Sequence, residues 1–240
     1  MSNYFRYFSK EFYLFGNEPT PDVFPNLALY ADVIDQIKDS VTLYEDITIQ
    51  DNERPDQTSF RLYGTPDFHW TFFLMNNKLR EQGWPLSNAK AETYAKRKYS
   101  NNVITTRTAL TSLTGFFKTG DTITGRSSGV SATILHRNLD LGQIVTSGAF
   151  TAGENLETSG TSNLVNVFSI TAEHLAAHHY IDGDKVITDI DPTVGPGGLL
   201  TEVTFLDRVN EQNATLRQIK AIKRNNISEI VEAFREAVAD

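Results

Sequence analysis

Between Arg54 and Asn77 the chain writes out two short helices folded back on each other. Gly64 is placed to end the first helix in a left-handed C′ position, which costs glycine little. Thr65 then offers an N-cap hydroxyl, Pro66 suits the first helical position because its missing N–H needs no partner, and Asp67 complements the helix dipole. The second helix carries Phe68, Trp70, Phe72, Phe73, Leu74 and Met75, so it is apolar on nearly every side, and Asn76-Asn77 ends it. A helix with no solvent face must be enclosed, by its own domain or by a partner.

The 240 residues suffice for one large domain or two small ones with a real core. Zero cysteines remove disulfides, thiol catalysis and thiolate metal sites together, and fit synthesis in a reducing cytoplasm. A net charge of −8 argues against nucleic-acid binding, which relies on a Lys/Arg excess. No apolar run approaches the ~20 residues that cross a bilayer. The opening residues Met1 to Arg6 lack the organisation of a signal peptide.

Aromatic residues crowd the N-terminus. Residues 1–30 hold Tyr4, Phe5, Tyr7, Phe8, Phe12, Tyr13, Phe15, Phe24 and Tyr30, nine of the chain's 26. Pro19, Pro21 and Pro25 break this segment, so one continuous helix is not expected. An extended arm laid across another surface and a strand or loop packed on its own core both fit. Residues 28–38 read as a short amphipathic helix, and Tyr44–Gln50 as a strand with Ile47 and Ile49 on one side. Gly83-Trp84-Pro85-Leu86 and a polar helix over Asn88–Tyr99 follow the two-helix unit.

From about 111 to 170 the composition turns to Gly, Thr and Ser with alternating apolar residues, and the chain repeats itself. Phe117-Lys118-Thr119-Gly120-Asp121-Thr122-Ile123 recurs as Phe150-Thr151-Ala152-Gly153-Glu154-Asn155-Leu156. Each copy leads through a turn into a β-rich run, Val130–Leu135 and Leu164–Ile170. Two copies are too few for a solenoid and predict paired hairpins of a small inserted β-module. Residues 178–190 read as strand, turn and strand. Leu216–Lys223 reads as a strand, and 227–238 as a helix with Ile227, Ile230, Val231, Phe234 and Val238 on one stripe.

The strand–helix–helix–strand order across 44–86 is similar to a LysM-type module. Ile47–Gln50 would be its first strand, Asp51-Asn52-Glu53 its turn and Gly83–Leu86 its returning strand. With the ending Leu216-Arg217-Gln218-Ile219-Lys220 and the segment Tyr63–Trp70, the chain resembles the baseplate wedge protein of T-even-type contractile-tail phages, the gene-product-fifty-three family. The resemblance covers roughly 1–105 and 172–240, and the β-insertion departs from shorter members. It implies a structural subunit of the virion, joining wedge scaffold proteins and holding six wedges around a central hub. LysM modules elsewhere bind cell-wall glycan, so a peptidoglycan-binding module is the rival reading.

No catalytic constellation stands up beside the plainer readings. His174 and His178 are four apart, as in a helical zinc pair, but no third ligand is evident and surface or packing histidines explain them better. Asp182-Gly183-Asp184 and Asp189-Ile190-Asp191 lack the ordered oxygens of a calcium loop and suit turns. Gly125-Arg126-Ser127-Ser128-Gly129 is neither a phosphate loop nor a nucleophile elbow and suits a hairpin turn. His69 reads as a core histidine. Arg217, Lys220, Lys223 and Arg224 form either a solvated strand face or a docking patch for an acidic partner.

The expectation is an α+β fold with a LysM-like strand–helix–helix–strand unit, an inserted small β-rich domain and a C-terminal strand–helix element. Its boundaries are 1–43 for an aromatic arm and short helix, 44–110 for the LysM-like unit and following helix, 111–171 for the insertion, and 172–240 for the C-terminal element. The expected role is assembly, without catalysis, cofactor, metal, nucleic acid, membrane or small-molecule substrate. The residues expected to touch partners are Tyr4, Phe5, Tyr7 and Phe8 in the arm, and Ile230 and Phe234 in the last helix.

Overall fold

A computed structural model describes residues 9–14, 16, 20–25, 41–108, 116–158 and 164–237. The fold is α+β. The N-terminal stretch carries β1 (Lys10–Tyr13), β2 (Asp22–Pro25) and β3 (Tyr44–Thr48). Helices α1 (Pro55–Tyr63), α2 (Trp70–Met75), α3 (Asn77–Gln82) and α4 (Asn88–Lys98) follow. Next come β4 (Asn102–Thr106), β5 (Thr122–Gly125), β6 (Ser131–Asn138), β7 (Gln143–Thr146), β8 (Asn155–Thr158) and β9 (Leu164–Ala172). Strands β10 (Ala177–Ile181), β11 (Ile187–Thr188) and β12 (Thr201–Thr204) precede α5 (Phe205–Arg217), β13 (Gln218–Ile222) and α6 (Ile227–Ala237). Two compact units divide the chain, residues 1–88 with 213–240 and residues 89–212. The amphipathic helix expected at 28–38 lies outside the described residues.

In the first unit the local signals act as their chemistry dictates. Gly64 takes φ 79° and its N–H donates to Phe60 O, closing α1. The Thr65 hydroxyl accepts from Asp67 N–H, and Pro66 opens the next turn. That turn is a 3-10 segment, Pro66–Phe68, so the helix proper begins only at Trp70. Asn52, with φ 59°, makes the turn after β3. Trp70, Thr71, Phe72, Leu74 and Met75 are all buried, so α2 is enclosed by its own unit. Phe72 packs on Tyr63 and Trp84, with ring centroids 6.0 and 5.9 Å away. Trp70 meets Phe234 of α6 at 5.2 Å. Burial pushes the Tyr63 phenol above its ordinary range, and its hydroxyl donates to Ile222 O at 2.8 Å.

The strand that returns beside β3 is not the expected one. Residues 83–86 form no strand; β3 pairs antiparallel with β13, from Gln218↔Thr48 to Ile222↔Tyr44. The polar groups of 83–86 are satisfied in another way. Gly83 turns the chain with φ 87°, and Trp84 Nε1–H donates to Glu53 O at 2.7 Å. The Asn213 side chain then accepts from Leu86 N–H at 2.7 Å and donates to Leu86 O at 2.8 Å. A side-chain amide thus pairs with Leu86 as a neighbouring strand would, and no backbone ladder is needed. Asn76 does the same for Lys220 of β13, accepting from its N–H at 2.9 Å and donating to its carbonyl at 2.8 Å. Leu216 and Arg217, read from sequence as the start of a strand, complete α5. Helix α5 itself opens on a capping box that the sequence displays as Thr204-Phe205-Leu206-Asp207. The Thr204 N–H and hydroxyl both donate to Asp207 Oδ2, and the Asp207 N–H returns to the hydroxyl.

In the second unit six strands close a barrel in the order β4-β7-β6-β5-β8-β9. The Gly/Thr/Ser-rich stretch supplies five of them, and β4 comes from upstream. The sequence repeat is the plan of this barrel. Phe117 and Phe150, like Ile123 and Leu156, point into its core. Gly120 N–H donates to Ile134 O, and Gly153 N–H donates to Val167 O in the matching place. Strands β5 and β8 pair antiparallel with each other, so β7-β6-β5 and β4-β9-β8 are related as two halves. The third strand of the second half is β4, a segment outside the repeat.

The two copies also share a carboxylate. Asp121 accepts from Lys118 N–H at 2.7 Å, and Glu154 accepts from Thr151 N–H at the equivalent position. Glu154 reaches further. It also accepts from Ser127 and Ser128 N–H and from the Ser128 hydroxyl, locking the β5–β6 turn. Gly125 leaves the room for this, since a Cβ there would sit 2.4 Å from Glu154 Oε2. Burial pushes the Glu154 carboxyl up, but the donors of Thr151, Ser128 and Ser127 outweigh it and hold it below the usual carboxylate range. A carboxyl with a depressed folded pKa contributes stability present above its unfolded pKa and lost as pH falls through the folded one. The protection factors of the Ser127, Ser128 and Thr151 amides should therefore fall as pH drops below the ordinary carboxylate range. Glu154→Gln should cost about 2 kcal/mol in protection at neutral pH and remove that acid step.

Strands β11-β10-β12 form a separate three-stranded sheet within this unit. The strand–turn–strand reading of 178–190 corresponds to β10 and β11. The left-handed residue of the turn is Lys185 (φ 63°) and not Gly183, because the Asp182 carboxylate takes the N–H groups of Asp184 and Val186.

Candidate functional site

The hairpin of β1 and β2 sets Phe12 opposite Val23 and Tyr13 opposite Asp22. Residues alternate across the ribbon, so Phe12, Leu14 and Val23 share one face. Phe12 is 71 % exposed, Leu14 62 % and Val23 50 %. A two-stranded ribbon is marginal in water by itself, and an open aromatic and aliphatic face on one is a surface to be covered. Tyr4, Phe5, Tyr7 and Phe8 lie outside the described residues. Ile230 and Phe234 are placed inward: both belong to the first unit's core, where Phe234 meets Trp70. Their side chains pack α6 onto its own unit.

The titratable clusters are engaged in structure. His174 sits in a 3-10 turn and His178 in β10, so the four-residue helical spacing does not arise. His178 and His179 approach instead through their Nδ1 atoms, at 2.9 Å. Burial, then the charges of Arg208 and His179, hold the His178 imidazole below its ordinary range. Among the described residues no group of three or more His, Asp or Glu is placed to hold a metal. His69 Nδ1 lies 2.9 Å from Pro66 O, within its own turn. Gly125 to Gly129 forms the β5–β6 hairpin turn, with Gly129 N–H donating to Gly125 O.

Three of the four cations in the basic cluster, Arg217, Lys220 and Lys223, bond within the chain. Arg217 donates to Asp51, Leu86 O and Asn88 Oδ1, knitting the end of α5 to the loop after β3 and to the start of α4. Lys220 lies over the Tyr44 ring at 4.4 Å and donates to its hydroxyl, and Lys223 donates to Thr42 O. Lys220 and Lys223 thus tie β13 and the residue after it to β3 and the turn before it. Among the described residues no helix is long and apolar enough to cross a membrane.

Among the described residues the polar clusters hold turns and strand edges, and the β1–β2 ribbon leaves an apolar face open. Residues 5–106 match the family described as base plate wedge protein 53. Over that stretch, less than half of the chain, it is similar to this family of bacteriophage tail baseplate proteins. The likeness supports a structural role in the phage tail baseplate, among other baseplate proteins. The match takes in the β1–β2 hairpin, all of α1 to α4 and β4, and stops where the rest of the barrel begins. A comparison with curated proteins gives no match.

Proposed function

We propose that the protein joins wedge scaffold chains of a contractile-tail baseplate and helps hold adjacent wedges around the hub. It acts without catalysis, in a six-fold, multi-copy assembly put together in the host bacterium's cytoplasm. The match of residues 5–106 to base plate wedge protein 53 carries this reading, and the exposed Phe12, Leu14 and Val23 face lies inside that stretch. Binding comes from these side chains, together with Tyr4, Phe5, Tyr7 and Phe8, being covered by neighbouring chains. Ile230 and Phe234 contribute indirectly, by keeping α6 docked.

The test is co-purification with the wedge scaffold chains of the same phage. Replacing Phe12 and Val23 together by Asp should weaken complex formation about tenfold or more, since truncation of central anchors commonly costs over ~1.4 kcal/mol. The first unit's urea transition, followed by tryptophan fluorescence, should stay put. A doubly substituted protein that assembles as well as the native one would remove the ribbon from the interface.

A further inference from the structure

The second unit holds a cleft of about 220 Å³ that none of the foregoing uses. Arg107, the residue after β4, extends along the outer wall of the barrel. Its guanidinium lies 4.1 Å from the centre of the Phe168 ring, on the outward-facing side of β9. Its other flank rests on Gly195, where an added Cβ would fall 1.7 Å from Nη1. Gly195 has φ 89°, so the backbone both permits and requires this close approach. The fork is therefore held between a ring and a glycine with its plane fixed. Among the described residues it makes no ion pair and no hydrogen bond. Gln143, Tyr180 and Glu202 line the same cleft with Ile190 and Pro192. Gln143 is buried, and its amide is taken by Ala177 O.

We infer that this cleft receives the carboxylate of an Asp or Glu side chain from another polypeptide, with Arg107 as its bidentate donor. A fixed planar guanidinium with unused N–H groups matches a carboxylate in shape and charge, and a lysine would not. Size favours a single side chain, because the cleft is below the ~300–1,000 Å³ usual for whole small-molecule ligands. Charge argues against a phosphate chain. Arg107 is the one cation among the lining residues, enough for one carboxylate and too few for a run of phosphates. Ile190 and Pro192 supply apolar wall for the methylenes that carry the carboxylate.

The Arg107 Nε–H resonance of the full-length protein reads the site directly. Titration with the peptide acetyl-Gly-Glu-Gly-amide should shift it saturably, at least about tenfold more tightly than acetyl-Gly-Gln-Gly-amide does. In Arg107→Gln the two peptides should become indistinguishable at the Tyr180 and Phe168 signals. Equal binding of the two peptides by the native protein overturns the inference, and this arm stands even if the variant fails to fold. Retention of the Glu preference in Arg107→Gln also overturns it. Acetate binding as tightly as the Glu peptide would assign the cleft to free small carboxylates and overturn the polypeptide source.

Discussion

Phe72→Ala lowers the stability of the first unit by about 3–5 kcal/mol, the range for deleting a fully buried aromatic ring. Phe72 is 0 % exposed and packs between Tyr63 and Trp84. Trp70, Leu74 and Met75 of the same helix are buried in the same core, so the helix is held in place and little can collapse into the void. The chain has two tryptophans, Trp70 and Trp84, and both belong to the first unit. Urea unfolding followed by tryptophan fluorescence therefore reports on this unit, whose midpoint should fall sharply with the slope preserved. A loss under about 1 kcal/mol would mean that α2 is not enclosed in solution.

Asn76→Asp is nearly isosteric and should be almost as damaging at neutral pH, by about 3–4 kcal/mol. Asn76 Nδ2 donates to both Phe72 O and Lys220 O, at 2.8 Å each, while Oδ1 accepts from Lys220 N–H. The residue is buried. A carboxylate keeps the one acceptor and sets its second oxygen against two carbonyls, with a charge taken out of water. The introduced group should have its folded pKa raised above the unfolded value. Its protonated form regains a donor, so the deficit should shrink as pH falls towards acid and grow as pH rises through that folded pKa. A pH-independent deficit, or none, would show that the amide does not clip β13.

The same residue explains a gap between sequence and fold. Asn76-Asn77 reads as a helix stop, and the backbone does break there, with Asn76 at φ −125°. Yet α3 starts at once, because Asn76 leaves the helical path to reach Lys220 and Asn77 begins a new helix. Nothing in the local wording announces a partner 144 residues away. The candidate surface was legible only in part. Phe12 and Phe24 stand out by composition, but their placement on a two-stranded ribbon, with Phe12 facing Val23, depends on pairing. Arg107 was not legible at all. It is one arginine after a strand until β9 brings Phe168 beneath it and Gly195 opens a seat.

What the sequence by itself determined are features fixed within a few residues. They include the left-handed stop at Gly64, the Thr65-Pro66 start, the turn at Asn52, the stripe of α6 and the twofold plan written in the Phe117 and Phe150 repeats. Each follows from backbone sterics or from a side chain bonding its own neighbours. Only the tertiary structure decided that β3 takes β13 as its partner, that β4 closes the barrel, and that Ile230 and Phe234 turn inward. Alternation in a strand marks which face is apolar but leaves the partner open. That choice falls to whichever distant segment buries the most surface while satisfying every N–H and C=O, and here two asparagine side chains complete the pairing.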